Sequence, residues 1–333
     1  MTATGFFGDF FRDSFHDSIV LIKRTAGNRK LSSNWHCHFA LTGPLTLYHR
    51  VRSFCLMGVF LKKLLIASLI FLTLQVVLTL AAAAAGGSYK FGGVPFSPGS
   101  TVRANVPLSP QEKSYAAQGG NPVPPNAVAV LATPANFDPT KSWPVLIPCS
   151  TSDFKRQNRD DLIQFYQRVG LSEGWVLLAG DGPQHAKNDN VAWRESMTMA
   201  AVDALHRSFP GSEKWPMACA GFSGGGKGVG YVAPFLAKNR CHVIGIYITG
   251  ANEDHLSDGY ARLQPGADFL NTPIYFSAGH EDRIATMEQQ YAVVGLVKRT
   301  GFKRIRIGTF RGGHEINDAQ TSIALHWFRE LAK

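Results

Sequence analysis

Residues 216–228 read PMACAGFSGGGKG, and this stretch decides the fold. Its first half is a short apolar run that predicts a buried strand, and its second half opens a helix-like stretch over 225–238. The junction, GFSGG, is a G-x-S-x-G pattern between a predicted strand and a predicted helix. A serine on such a sharp turn needs strained backbone angles and small neighbours two residues away, which Gly221 and Gly225 supply. The pattern therefore predicts that Ser223 is an exposed nucleophile.

The alternation of strand and helix extends in both directions from this turn. Apolar runs that predict strands lie at 127–132, 144–149, 175–180, 216–220, 242–248, 273–278 and 304–310. Helix-like stretches lie between them, at 159–172, 194–208, 225–238, 284–300 and 316–331. Near-continuous apolar strands separated by helices are typical of a mostly parallel sheet with helices on both faces. The sequence predicts an α/β fold in one domain over 127–333.

Two other interpretations of the serine turn are open. The first is a glycine-rich turn without chemistry. The second is a phosphate-binding loop, because Gly221, Gly226 and Lys227 nearly match G-x-x-x-x-G-K-[ST]. That motif needs a hydroxyl after the lysine to hold magnesium, and Gly228 stands there instead. The mismatch weighs against phosphate binding.

A nucleophilic serine needs a base, and the base needs an orienting acid. Asp282 and His314 each follow one of the last two predicted strands, in the chain order Ser, acid, His. Strands that run parallel end at the same edge of a sheet, so both residues are expected near Ser223. Glu281 is the alternative acid, and Asp282 also suits a helix N-cap. The predicted triad is Ser223, Asp282 and His314.

The developing negative charge of an acyl-transfer reaction needs hydrogen-bond donors. The backbone N–H of Gly224, at the start of the predicted helix, is the first candidate. The second is expected in the loop after the strand at 144–149, where Thr151 or Ser150 can donate a backbone N–H. Gly224 and Thr151 are the predicted oxyanion hole.

With these residues the chain resembles the α/β-hydrolase superfamily, most closely its secreted esterases and depolymerases of the feruloyl-esterase and polyhydroxyalkanoate-depolymerase kind. The segments that carry the resemblance are GFSGG at 221–225, GHED at 279–282, GGH at 312–314 and FDPTKSWPVLIP at 137–148. The loop CSTS at 149–152 departs from the HG sequence that is common in the family. The resemblance covers 127–333. It implies hydrolysis of small or polymeric carboxylic esters through an acyl-enzyme, without a metal or cofactor.

The family's cap domain usually follows the sixth strand. Here only residues 249–272 separate the two predicted strands at that point, which predicts little or no cap and an open site. A serine peptidase on the same fold is the alternative enzyme, because the same triad cleaves amides. A surface binding protein on a hydrolase scaffold is the alternative without catalysis.

Residues 57–85 read MGVFLKKLLIASLIFLTLQVVLTLAAAAA, the order of a secretory signal peptide. The apolar run at 64–85 is also long enough for a membrane anchor. Either interpretation predicts that residues 86–333 lie outside the cytoplasm. Because the signal pattern begins at Met57, residues 1–56 are predicted to be a non-native or disordered extension. Residues 86–126 are rich in Gly, Pro and Ser and are predicted to be a linker or irregular lead-in.

Charge and cysteine usage narrow the function classes. The formal net charge is +10, but residues 1–85 hold 9 Lys+Arg against 3 Asp+Glu, and the rest hold 25 against 21. The excess therefore lies mostly outside the predicted domain, and no basic stripe with interleaved aromatics is present, which excludes nucleic acid as a partner. None of the five cysteines, Cys37, Cys55, Cys149, Cys219 and Cys241, has the spacing of a metal site.

Overall fold

The structure is a computed structural model that describes residues 88–332, apart from Gly119, 152–155 and 185–190, together with Ser68. The chain divides into two compact units, and every element below lies in the second, Leu80–Lys333. Except for Ser68, the predicted extension at 1–56 and the predicted signal or anchor at 57–85 lie outside the described residues. Within the part of the chain that is described, no helix is long and apolar enough to cross a membrane.

The described residues include ten strands, which form a hairpin and one large sheet. The hairpin pairs β1 (Tyr89–Phe91) with β2 (Val94–Phe96). The sheet contains eight strands: β3 (Thr101–Pro107), β4 (Asn126–Ala132), β5 (Val145–Cys149), β6 (Val176–Asp181), β7 (Met217–Phe222), β8 (Val243–Thr249), β9 (Ile274–Gly279) and β10 (Ile305–Phe310). Their order is β10-β9-β8-β7-β5-β6-β4-β3. In this sheet β4 runs antiparallel to both of its neighbours, and the pairs from β6 to β10 are all parallel.

Seven helices lie among these strands in the same described ranges. They are α1 (Pro110–Ala117), α2 (Asn158–Asp161, π-helical Leu162–Tyr166 and Gln167–Ser172), α3 (Val191–Ser208), α4 (Gly224–Lys238), α5 (His255–Leu263), α6 (Met287–Thr300) and α7 (Asp318–Leu331). Short 3₁₀ turns occur at Ser212–Lys214 and Ala267–Asn271. The seven predicted strands and five predicted helices are thus confirmed within a few residues at each end.

The sheet separates two hydrophobic clusters. Along β5, Val145 and Ile147 face the cluster formed with α3, α4 and α6, whereas Leu146 faces the cluster formed with α2 and α7. Successive side chains of a strand point to opposite faces, so a fully apolar strand serves both clusters. The predicted mostly parallel sheet with helices on both faces is therefore confirmed. The segment between β8 and β9, all of it described, holds only α5 and one 3₁₀ turn, so no multi-helix cap is inserted there.

The prediction of a linker or irregular lead-in over 86–126 is wrong for most of that segment. β3 alternates buried and exposed residues along its length and pairs with β4 in a continuous antiparallel register. α1 begins with a capping box between Ser109 and Glu112 and has a proline in its first turn. Gly92 and Gly93, which suggested a linker, form the hairpin turn with positive φ angles of 55° and 86°. The prediction relied on composition and overlooked two local patterns, the period-two alternation of β3 and the helix cap of α1.

Candidate active site

Ser223 lies on the turn between β7 and α4, in a backbone conformation that is rare for a residue with a side chain. Its φ is 55° and its ψ is −122°. A Cβ at Gly221 would overlap the carbonyl oxygen of Gly225, and a Cβ at Gly225 would overlap that of Cys149. The close approach of β5, β7 and α4 therefore leaves no room for side chains beside the serine. The turn is held further by the Ser223 N–H, which donates to the carbonyl of Thr249 at 2.9 Å.

The structure brings the three predicted triad side chains together from separate strand ends. His314 Nε2 lies 2.9 Å from Ser223 Oγ, and His314 Nδ1 lies 2.9 Å from Asp282 Oδ2. The ring of Phe222 packs against the imidazole with centroids 4.7 Å apart. Gly250, with a φ of 61°, lies under the imidazole, where a Cβ would come within 3.0 Å of Cε1. These contacts with Phe222 and Gly250 restrict the orientation of the histidine ring.

Asp282 is a buried carboxylate whose charge is supported by several donors. Its side chain is 1% exposed, and Oδ1 accepts hydrogen bonds from the backbone N–H groups of Ile284 and Ala285, both at 2.8 Å. Burial by itself raises the pKa of Asp282, but the Ala285 amide, His314 and the Ile284 amide together outweigh burial and lower it. The carboxylate is therefore ionised at neutral pH. Asp282 also closes the turn ahead of α6, but the N-cap of that helix is Thr286, so the alternative role of Asp282 as a helix N-cap is wrong.

Glu281, the alternative acid, lies elsewhere. Its side chain is 65% exposed, and its carboxylate lies 3.7 Å from Nε of Arg311. The sequence did not separate these adjacent acids, because alternation along a loop does not define which side chain turns inward. The geometry places Asp282, and not Glu281, against His314.

The hydrogen bond to Asp282 has a chemical consequence for the histidine. An ionised carboxylate only accepts hydrogen bonds, so Nδ1 carries the proton and Nε2 of a neutral imidazole presents its lone pair to the Ser223 hydroxyl. This arrangement can remove the hydroxyl proton when Ser223 attacks an electrophile.

The two predicted oxyanion residues are neighbours. Gly224 is the first residue of α4, where backbone N–H groups lack helical acceptors. Thr151 follows the end of β5 and lies so close that a Cβ at Gly224 would overlap its Oγ1. Ser223, Gly224 and Thr151 all line the same cavity, as the residues of an oxyanion hole must.

Two residues that the sequence reasoning missed hold the loop after β5. The Arg194 guanidinium donates to Ser150 Oγ at 3.1 Å and to the carbonyl of Thr151 at 3.3 Å. Asn158 Oδ1 accepts from the Ser150 N–H at 2.9 Å, and its Nδ2 donates to the carbonyl of Gly180 at 3.0 Å. Neither residue belongs to a motif, and no local pattern marks them. They form this support only because α2 and α3 pack beside the end of β5.

A cavity of about 480 Å³ opens beside Ser223. Its wall follows α4 and includes Lys227, which pairs through Nζ with Glu253 Oε1 at 3.0 Å. The described residues that line it are Cys149, Ser150, Thr151, Asn158, Val191, Arg194, Ser223, Gly224, Lys227, Gly228, Tyr231, Val232, Gly250, Asn252, His255 and Ile284. Among the residues that the structure describes, no group of three or more His, Cys, Asp or Glu side chains is arranged to hold a metal ion.

The three cysteines in the described part of the domain form no disulfide with one another. Cys149, Cys219 and Cys241 are all buried free thiols. Burial raises the pKa of Cys149 and Cys241 to about 12 and that of Cys219 well above the ordinary value. The thiols are therefore protonated and serve as small apolar core residues.

Comparisons with known proteins give structures but no sequence relatives. Neither the protein-family models nor the curated protein sequences match this chain. The chain is similar to a substrate-bound, fluorophosphonate-binding serine hydrolase F of Staphylococcus aureus, with a TM-score of 0.46 and 13% identity over 70% of this chain and 99% of that one. It is similar to a Pyrococcus furiosus esterase, Pf2001, with a TM-score of 0.42 and 14% identity over 70% and 90% of the two chains.

A third similar structure is a cold-adapted esterase from an Arctic intertidal metagenomic library. Its TM-score is 0.48, with 13% identity over 69% of this chain and 93% of that one. The sheet order found here, with β4 antiparallel and the serine turn after β7, is the α/β-hydrolase fold that the motifs predicted. Structural similarity with TM-scores below 0.5 supports no inference about function, so the proposed chemistry depends only on the residues of this chain. The feruloyl-esterase or depolymerase kind stays a prediction.

Proposed function

We propose that this protein is a serine hydrolase that cleaves carboxylic esters through Ser223, His314 and Asp282. One observation carries the proposal: a continuous hydrogen-bonded chain runs from the Ser223 hydroxyl through the imidazole to a buried, ionised carboxylate. A serine is a weak nucleophile unless a base accepts its proton, and this chain supplies the base in the required tautomer.

In the proposed reaction, His314 Nε2 takes the proton as Ser223 Oγ attacks the ester carbonyl carbon. The carbonyl oxygen becomes an oxyanion, and the backbone N–H groups of Gly224 and Thr151 stabilise it. The imidazolium then protonates the leaving alcohol, and the carbon–oxygen bond to that alcohol breaks. Water, deprotonated by His314, attacks the acyl-enzyme and releases the acid together with free Ser223. Asp282 holds the imidazole in place and stabilises its positive charge.

The shape of the site supports small or polymeric esters as substrates. The cavity beside Ser223, at about 480 Å³, is within the size range of small-molecule sites, and α5 with its following turn does not form a multi-helix cap over it. We propose that hydrolysis takes place outside the cytoplasm. That proposal depends on the signal-like sequence at 57–85, and N-terminal sequencing of the processed native protein tests it.

Labelling with a fluorophosphonate probe tests the proposed function directly. The wild type is expected to label, and Ser223→Ala is expected to lose labelling together with on the order of 10⁶-fold in kcat for a 4-nitrophenyl ester. Ser142→Ala is the matched control, because Ser142 is an exposed serine of the same domain and is expected to leave labelling intact.

Three results would change the proposal. Folded wild-type protein that neither labels nor hydrolyses an ester would overturn it and favour a binding protein on a hydrolase scaffold. Labelling that persists in Ser223→Ala would place the nucleophile elsewhere. A peptide anilide that is cleaved faster than the matching ester would assign a peptidase.

A further inference from the structure

One face of α4 forms a wall of the cavity beside Ser223. Ser223, Lys227 and Tyr231 are four residues apart and all line the cavity. Residues at this spacing lie on the same side of a helix. The distance along the axis from Ser223 to Tyr231 is about 12 Å, and Lys227 lies about halfway. The Lys227 side chain is therefore within reach of the part of a substrate that lies next to the scissile bond.

The cavity is lined by cations and neutral groups. Arg194 and Lys227 both line it, and none of its described lining residues is an aspartate or glutamate. The positive end of the α4 dipole lies at the same place. A cleft lined by one sign of charge raises the local concentration of ligands of the opposite sign. The charged side chains that line the cavity are therefore cations that a substrate anion can contact, and the Glu253 carboxylate compensates part of the Lys227 charge.

The fold alone gives a weak reason for a lysine at position 227. Its ammonium pairs with Glu253 Oε1 at 3.0 Å, and Glu253 Oε2 lies 3.1 Å from His255 Nε2. The Glu253 side chain is 59% exposed, and exposed ion pairs contribute little to stability. Lys227 itself is only 25% exposed. Since an ammonium has three donors, the pair with Glu253 leaves Lys227 able to donate into the cavity.

We infer that Lys227 recognises a negatively charged group on the substrate, so that the enzyme prefers esters that carry a carboxylate near the scissile bond. This inference rests on the proposed esterase function and names its substrate class. Lys227 binds the carboxylate by a charge-assisted hydrogen bond, with Arg194 adding to the positive potential. Glu253 holds the ammonium at the cavity wall and competes with the substrate for it.

Matched ester pairs test the inference. For a charge on the acyl side, 4-nitrophenyl hemiadipate is compared with 4-nitrophenyl hexanoate. For a charge on the alcohol side, 4-acetoxybenzoate is compared with its methyl ester. The readout is the ratio of kcat/KM for the charged ester to that for the neutral one, after subtraction of uncatalysed hydrolysis. Comparing this ratio between variants cancels intrinsic differences in reactivity.

The expected results differ in sign between variants. Lys227→Gln is expected to lower the ratio by about 10- to 100-fold for at least one pair, because hydrogen bonds to charged groups are strong. Glu253→Gln is expected to raise it, because a competitor for the ammonium is lost. Lys298→Gln removes the same charge from an exposed position on α6 outside the cavity and is expected to keep the wild-type ratio. The wild-type ratio is expected to fall as salt is added.

Failure of the inference is distinct from failure of the proposed function. If neutral esters are hydrolysed in a Ser223-dependent manner but Lys227→Gln and Glu253→Gln leave both ratios at the wild-type value, the esterase stands and the carboxylate preference is overturned. A ratio that Lys298→Gln lowers as much as Lys227→Gln also overturns it, since net charge would then be the cause. If Lys227→Gln does not fold, the test depends on Glu253→Gln. A higher ratio of kcat/KM for the charged ester to that for the neutral ester in this variant supports the inference, and an unchanged ratio overturns it.

Discussion

Asp181 and Asp282 lie at the same edge of the sheet, one at the end of β6 and the other just after β9. Their side chains are 5% and 1% exposed. Each accepts two backbone hydrogen bonds: Asp181 from Asn158 and Arg159 at 2.8 and 2.9 Å, and Asp282 from two residues of its own loop at 2.8 Å. The two carboxylates are similar in side-chain exposure and in backbone contacts, but Asp181 lies deeper in the protein than Asp282.

Their pKa values nevertheless shift in opposite directions. Burial raises the pKa of Asp181, and its two amides and the more distant Arg159, at 3.9 Å, offset only part of that effect. Burial has the same effect on Asp282, but its amides together with His314 reverse it. Deeper burial at Asp181 and the histidine at 2.9 Å from Asp282 together account for the opposite directions of the two pKa shifts.

The two acids also act on different parts of the site. Asp181 caps the first turn of α2, whose Asn158 in turn holds the Ser150 N–H in the loop after β5. Asp181 thus acts through two intermediates on the loop that contains Thr151. Asp282 contacts the proposed base directly. The comparison predicts that loss of one charge stops catalysis and loss of the other mainly weakens the fold.

The largest expected effect comes from replacing each acid by its amide. Asp282→Asn is expected to lower kcat by about 10⁴-fold, because an asparagine favours the wrong imidazole tautomer. Asp181→Asn is expected to lower kcat by less than about 10-fold while reducing the free energy of unfolding by about 1–3 kcal/mol, since one buried N–H loses its acceptor. Ester hydrolysis measures kcat of both variants, and urea unfolding measures their free energy of unfolding. Similar losses of kcat would break the distinction between the two sites.

A smaller effect is expected from a glycine near each acid, Gly180 directly before Asp181 and Gly279 three residues before Asp282. A Cβ at Gly279 would overlap the carbonyl oxygens of Gly312 and Gly313, in the loop that carries His314, whereas a Cβ at Gly180 would overlap the backbone of α3. Both alanine variants are expected to lose about 1–3 kcal/mol of stability by overpacking. Only Gly279→Ala is expected to lower kcat by about 10²-fold, because it displaces the base. Equal kcat in two folded variants of similar stability would contradict this.

The smallest expected effect is a difference in pH dependence. Because the folded-state pKa of Asp282 is lowered, its contribution to stability is present above the ordinary aspartate pKa, near 4, and is lost as pH falls below it. Asp181 has a raised pKa, so the folded state holds a proton longer, and its contribution declines as pH rises above about 4.

Urea unfolding between about pH 2 and 7 measures these slopes. The difference in unfolding free energy between wild type and Asp282→Asn is expected to grow with pH, and that between wild type and Asp181→Asn is expected to shrink. A tenfold change in a carboxyl group's acid dissociation constant on folding corresponds to about 1.4 kcal/mol of stability. Slopes of the same sign would show that the two carboxylates are in equivalent environments.

Much of the fold could be predicted from short-range patterns in the sequence. The apolar runs of β5 to β10 and the strand–turn–helix around Ser223 are local features, and the structure has them where the pattern predicted. The prediction of a linker over 86–126 failed because β3 is an edge strand with one side facing solvent. The composition of β3 is therefore polar, although its buried and exposed residues alternate regularly. Overall composition is a poor guide for such strands.

The sequence by itself determined the order of the candidate triad and the kind of turn that carries Ser223. It also limited the acid to two adjacent residues, Glu281 and Asp282. Only the tertiary structure decided between them, because the inward-facing side chain depends on contacts with His314, which lies 32 residues further along the chain. The sequence also did not predict the contacts of Arg194, of Asn158, or of Lys227 with Glu253, because in each contact the two partners lie on separate elements. Local patterns encode strands and turns, whereas the pairing of side chains at one sheet edge is set by how those strands align.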